Sequence, residues 1–268
     1  MTASAPEIRV VSELPEYRFV RLRNLPRSPE KGQLPEYCSE YRAKNLSADA
    51  RTIERLGWIV TSEASLGRFE VITFVSGFDP GTSALCFAHN ANIAVFDRGE
   101  VVALAYAKRP YRGPDSASNP TPLGIVEPLA DKSGLLVLTD PPGAPVGELR
   151  AEDGNLRLSG RAKAHTYCGG RATVPDVYEK GIDVARRVLL ARGWVPERPA
   201  ERPGEGDMAH DMAQIGLVEA ETCSGTGVGY CAWTYRGKAG LLHVVTVGGD
   251  PEPANNVVVG YNVECSPP

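Results

Sequence analysis

Short runs in which apolar and polar positions alternate recur along this chain, and most have the two-residue period of a strand. The clearest is Arg68–Val75, where Phe69, Val71, Thr73 and Val75 alternate with Arg68, Glu70, Ile72 and Phe74. Such a strand is buried on one face and partly on the other. Ala84–His89 and Ile93–Phe96 read as further strands, and Asp97-Arg98-Gly99 turns the chain into Val101–Tyr106 as a hairpin. An earlier strand is expected over Glu16–Leu22, around Tyr17, Phe19 and Val20. Strands resume at 123–126, 135–138, 147–150 and 156–159, the last two closing over the Asp153-Gly154 step, a strong turn signal. Four more are expected at 217–222, 230–235, 241–247 and 257–263.

Helical periodicity is confined to a few stretches. Ser47–Leu56 has Ser47 as N-cap, Asp49 in the first turn, Arg55 in the last, and Gly57 to end it. The second helix is expected over 174–192. Thr173 and Asp176 form a capping box there, Pro175 fits the first turn, and Gly193 closes the segment. Tyr178, Ile182, Ala185 and Leu189 make its apolar stripe, and Arg186 falls on the face left for water. A third, short helix fits near Met208–Ile215.

These elements predict an α+β fold, predominantly β, with antiparallel sheets in a sandwich or meander and two short-to-medium helices. Residues 1–15 read as a flexible lead-in, and 16–194 as a β-rich lobe with helices near 47–56 and 174–192. Residues 195–206 read as a linker, and 207–268 as a C-terminal β-meander packed on the first lobe. The segment 195–206, VPERPAERPGEG, has too little apolar surface to fold by itself. The proline-rich polar loop 108–122 is a second candidate boundary.

Composition sharpens this picture. Among 268 residues there are 28 glycines and 22 prolines, a density of breakers that suits many short strands joined by turns. Formal net charge is −4 and the basic residues are scattered, so no nucleic-acid partner is expected, a local basic groove being the one route left open. No run of about 18 apolar residues occurs, so no membrane span is expected. Six cysteines form an even set with no C-x-x-C pair, which points to disulfides over a zinc or redox site. Cys223, Cys231 and Cys265 crowd into expected hairpins and are expected to pair there, with Cys38, Cys86 and Cys168 as further half-cystines. A periplasmic or secreted location follows, with the signal peptide outside this sequence. The opening small-residue stretch Met1–Pro6 fits that reading. A cytoplasmic protein with reduced thiols is the alternative.

The candidate chemistry is sparse. The glycine-rich stretch 222–229 has G-x-G-x-G spacing and precedes a strand, so it reads as a hairpin loop and not as a phosphate cradle. The four histidines include no H-E-x-x-H or close pair, and neither a metal nor another cofactor is expected. His89 ends a strand beside Asn90 and Asn92 and follows the loop carrying Asp79. His165 lies three residues before Cys168, close enough to activate a thiol if the cysteine is not a half-cystine. Asp79, His89, His165 and Cys168 are therefore the catalytic candidates. Trp233 and Tyr235 share one strand face and are the candidate binding pair for a peptide or glycan groove. Three functions fit. The first is an exported, disulfide-stabilised, non-enzymatic protein that binds or inhibits a protein or cell-envelope glycan. The second is a hydrolase built from His89, Asp79 and His165, and the third a structural component of a surface assembly.

Overall fold

A computed structural model describes residues 8–29, 34–81, 85–109, 123–139, 143–225 and 227–267. The secondary structure is mostly strand, in antiparallel sheets with short helices, which bears out the β-rich α+β class. Chain contacts divide the molecule into two compact units, Met1–Arg161 and Ala162–Pro268. The stretch 195–206 lies inside the second unit. Residues 110–122 of the proline-rich loop and 1–7 of the lead-in lie outside the described residues.

In chain order the first unit holds β1 (Val10–Ser12), β2 (Tyr17–Arg21), α1 (Ala48–Arg55), β3 (Ile59–Leu66), β4 (Phe69–Val75), β5 (Gly77–Pro80) and β6 (Cys86–His89). It continues with β7 (Asn92–Asp97), β8 (Glu100–Ala107), β9 (Ile125–Pro128), β10 (Leu135–Leu138), β11 (Pro145–Glu152) and β12 (Asn155–Ser159). Two five-stranded sheets result, ordered β2-β8-β7-β4-β3 and β1-β12-β11-β10-β9, the β1–β12 pair being parallel.

Alternation explains how the layers stack. Phe69, Val71, Ile93, Val95, Ala103 and Ala105 point from the first sheet into a core shared with Leu135, Val137, Leu149, Leu156 and Leu158 of the second. The intervening Ile72, Phe74, Ala94, Phe96 and Leu104 point the other way, onto Ala50 and Ile53 of α1 and onto Trp58. The first sheet is thus covered on both faces, which is why β4 is buried at almost every position. Ser47 caps α1, its Oγ accepting from the Ala50 N–H at 3.1 Å. At the sheet edge a bulge in β3 frees Thr61 to donate to the Gly124 carbonyl at 2.6 Å, and Ser62 Oγ accepts from the Val126 N–H at 2.9 Å. A 3-10 turn, Glu36–Tyr41, is tied to β6 by the Cys38–Cys86 disulfide, both cysteines fully buried.

The second unit runs β13 (Ala164–Tyr167), β14 (Ala172–Pro175), α2 (Ile182–Leu190), β15 (Val195–Pro196), α3 (Met208–Gln214), β16 (Ala220–Cys223), β17 (Cys231–Gly237), β18 (Gly240–Val247) and β19 (Val257–Cys265). β13 and β14 form a hairpin. The remaining strands make one sheet, β15-β17-β18-β19, with β16 sharing the β15 side of β17. Val195 and Pro196 pair with Arg236 and Tyr235 in this sheet. Cys223 and Cys231 sit directly opposite each other on β16 and β17 and are bonded, whereas Cys265 pairs with Cys168, 97 residues away.

Two expectations about the second helix need correcting. It begins at Ile182, not near residue 174. Thr173 pairs with Thr166 across the β13–β14 hairpin, and Pro175 ends that strand. Thr173 is therefore spent in a ladder that its β-branched neighbour Val174 favours, Asp176 just past it accepts from the Tyr178 N–H at 3.2 Å, and a positive φ of 60° at Glu179 separates the strand from Gly181, the actual N-cap. The apolar stripe itself is buried, at Tyr178, Ile182, Ala185 and Leu189. The second correction concerns Arg186. Its Nε donates to Glu219 Oε1 at 2.7 Å, and the Glu219 side chain is fully buried. The helix flank assigned to water instead meets a carboxylate brought in by the chain just before β16.

Candidate functional site

The sequence candidates separate in the structure. In the β5–β6 hairpin His89 Nε2 lies 2.7 Å from Asp79 Oδ2, an acid–histidine contact in which both side chains are partly exposed. The hairpin register that sets Gly77 against His89 brings the two together. His165 belongs to the second unit, where it is buried and its Nδ1 lies 3.5 Å from the Tyr261 hydroxyl. Cys168 is bonded to Cys265, so the expected thiol nucleophile is corrected to a half-cystine. Among the described residues no group of three or more His, Cys, Asp or Glu side chains is arranged to hold a metal ion.

The expected aromatic binding pair is also corrected. Trp233 and Tyr235 are fully buried, because the alternation of β17 turns both inward and sends Ala232, Thr234 and Arg236 to the other face. The Trp233 Nε1–H donates to Thr246 Oγ1 at 2.9 Å. Burial, reinforced by the nearby Glu219 carboxylate, pushes the Tyr235 phenol far above its ordinary pKa of 10.0. A group whose folded pKa exceeds its unfolded value keeps its full contribution below the unfolded value and loses it as pH rises. Above pH 10 this phenol should therefore remove about 1.4 kcal/mol of stability per pH unit. Denaturant melts from pH 9 to 11 should show Tyr235→Phe losing stability less steeply than the parent. Equal slopes would refute the assignment.

A polar chain crosses the same sheet. Thr234 Oγ1 donates to Glu221, His243 Nδ1 lies 3.0 Å from that hydroxyl, and His243 Nε2 lies 3.4 Å from Glu264 Oε2. The order resembles a hydroxyl–imidazole–carboxylate triad, but the proton bookkeeping runs the other way. A carboxylate can only accept, so the single hydroxyl proton is committed to Glu221 and the imidazole must donate to Thr234. An activated nucleophile needs the reverse. This chain is a ladder of cross-strand side-chain bonds.

Arginines gather at one end of the first unit's sheet, where the end of β2 and two hairpin turns converge. Leu66 opposes Phe69 across the turn Gly67-Arg68, and Gly67 takes its first position at φ 61°. Asp97 opposes Glu100 across Arg98-Gly99, where φ is 54° and 82°, the double positive φ of a type I′ hairpin. β2 ends at Arg21, and Leu22 still donates to the Val102 carbonyl, which carries Arg23 to the same end. Arg21, Arg23, Arg68 and Arg98 therefore line one open groove, with Asp97 and Glu100 between them. Asp97 is almost wholly buried and sits between Arg68 Nε and Arg98 Nε, each 3.3 Å away. The Arg68 guanidinium also lies 4.8 Å over the Phe69 ring. Arg98 remains 82% exposed, so part of its guanidinium is open to a second anion while it holds Asp97. Arg23 makes no ion pair among the described residues.

None of these arginines was a sequence candidate. Arg68 and Arg98 do sit in recognisable turns, but only the order β2-β8-β7-β4 brings those turns beside the end of β2.

Fold and site define a disulfide-bonded, β-rich α+β globular protein with an arginine-lined groove. Its three disulfides fit a stable protein of an oxidising, extracytoplasmic environment, and no helix among the described residues is long and apolar enough to cross a membrane. Compared with known proteins, the chain matches no family model, no curated protein and no solved structure.

Proposed function

We propose that this is an exported, non-enzymatic binding protein, periplasmic or secreted, whose macromolecular partner presents negative charge to the arginine-lined groove. The observation that carries the reading is the convergence of Arg21, Arg23, Arg68 and Arg98 on that groove in a chain of net charge −4. Among the described lining residues four guanidinium groups accompany two carboxylates, a balance opposite in sign to that of the whole molecule. The hydrolase reading keeps the Asp79–His89 contact as support, but Cys168 carries no free thiol and His165 is buried.

Fluorescence anisotropy of the full chain with labelled polyglutamate, oligogalacturonate and oligothymidine tests the proposal. At least one of these polyanions should bind at low salt and dissociate as salt approaches roughly 0.5 M, where the Debye length is only a few ångströms. Arg23→Glu should weaken the complex about tenfold without changing the thermal melt, since Arg23 is exposed and supports no other group. If no polyanion binds at low salt, the reading is wrong.

A further inference from the structure

On the reading of this groove as an anion site, we infer that its ligand is an extended acidic peptide segment of a partner protein, with aliphatic side chains between its carboxylates. The arginines form a row across the end of the sheet: Arg21 at the end of β2 and Arg23 just beyond it, Arg98 at the β7–β8 turn and Arg68 at the β3–β4 turn. From β2 to β4 there are three inter-strand steps, about 14 Å at roughly 4.8 Å each. An extended peptide covers that distance with about four residues, and its alternate side chains share a face. Two carboxylates on one face can therefore reach separate guanidinium groups along the row.

Among the described lining residues the cations are all arginines. A planar guanidinium fork fits a carboxylate in two-point fashion, whereas an ammonium acts as a point charge. The groove already holds one carboxylate, Asp97, between single Nε contacts from Arg68 and Arg98, each at 3.3 Å. The rest of the lining decides between carriers of negative charge. Leu22, Leu25, Leu56 and Val101 are half-buried, so part of each apolar side chain faces the groove. The one aromatic among the described lining residues, Phe96, is only 3% exposed and offers no stacking face. Single-stranded nucleic acid uses exposed aromatics as base platforms. Apolar surface in the same groove as the arginines instead complements a peptide that carries aliphatic as well as acidic residues.

Labelled probes of equal length bound to the full chain test this: a peptide alternating Glu and Val, its Gln-for-Glu and Ser-for-Val counterparts, oligogalacturonate, and oligothymidine. The Glu/Val peptide should bind tightest, with the Gln-for-Glu counterpart about tenfold weaker or more and the Ser-for-Val counterpart weaker by several-fold. Arg23→Glu should weaken the Glu/Val peptide about tenfold while the melt is unchanged. Tighter binding of oligogalacturonate or oligothymidine, or equal binding of the Ser-for-Val peptide, overturns the peptide assignment and leaves the anion groove standing. If no negatively charged probe binds, both readings fall.

Discussion

Arg186→Ala is expected to destabilise the protein by about 3 kcal/mol, several times what its place on the polar side of a helix would suggest. A substitution on a wet helix face falls within roughly ±0.5 kcal/mol. Here the guanidinium is the hydrogen-bonded partner of a fully buried carboxylate, Glu219, 2.7 Å away. Removing one member of a buried pair typically costs about 3–5 kcal/mol, because the other charge stays in the low-dielectric interior uncompensated. The low end applies, since the Arg186 side chain keeps 27% exposure and water reaches part of the pair. Glu219 Oε2 is buried without a hydrogen-bond partner, and the nearby neutral Tyr235 phenol carries no positive charge to replace the guanidinium. Urea melts of Arg186→Ala, Glu219→Gln and the double variant form a cycle. The double variant should recover most of the loss, because neutralising Glu219 removes the charge that Arg186 was needed to balance. A loss under about 0.5 kcal/mol, or no recovery in the double variant, would return Arg186 to the solvent.

The second large effect belongs to the disulfides, and its order follows from loop length. Cys168–Cys265 closes 97 residues, Cys38–Cys86 closes 48, and Cys223–Cys231 closes 8. Chain entropy assigns these cross-links about 4.7, 4 and 2.5 kcal/mol, since each restricts the unfolded chain in proportion to the logarithm of its loop. Replacing each pair by alanines and measuring urea midpoints should therefore rank Cys168–Cys265 as most costly and Cys223–Cys231 as least. The small loop has a further reason for a low cost. Its cysteines are opposed on β16 and β17, and the ladder holds the strands together without the bond. If the eight-residue cross-link proved the most damaging to lose, native-state packing would outweigh the entropy of the unfolded chain.

The β-rich class was legible because its signals are local. Alternation in β4 and the turns at Asp97–Glu100 and Glu152–Asn155 depend on neighbours a few residues away. The second helix shows where local signals compete. Thr173-x-x-Asp176 is a sound capping box in isolation, yet pairing with β13 satisfies the same backbone groups and places Val174 in the core. The stripe at Ile182, Ala185 and Leu189 survives the shift of the helix start, because side-chain period does not depend on where the helix begins.

By itself, then, the sequence determined many of the strands, where two tight hairpins turn, and which helix positions are apolar, all properties of short stretches of backbone and side chain, but not β1, β3, β5 or the β13–β14 hairpin. Tertiary structure decided which face of β17 is inside, burying Trp233 and Tyr235, and which cysteine lies across from which. It also gave Arg186 a buried partner and gathered four arginines from one strand end and two turns. These outcomes depend on sheet order and on contacts between residues tens of positions apart. No periodicity encodes such closures, because each is set by the competition of whole elements to bury surface against one another.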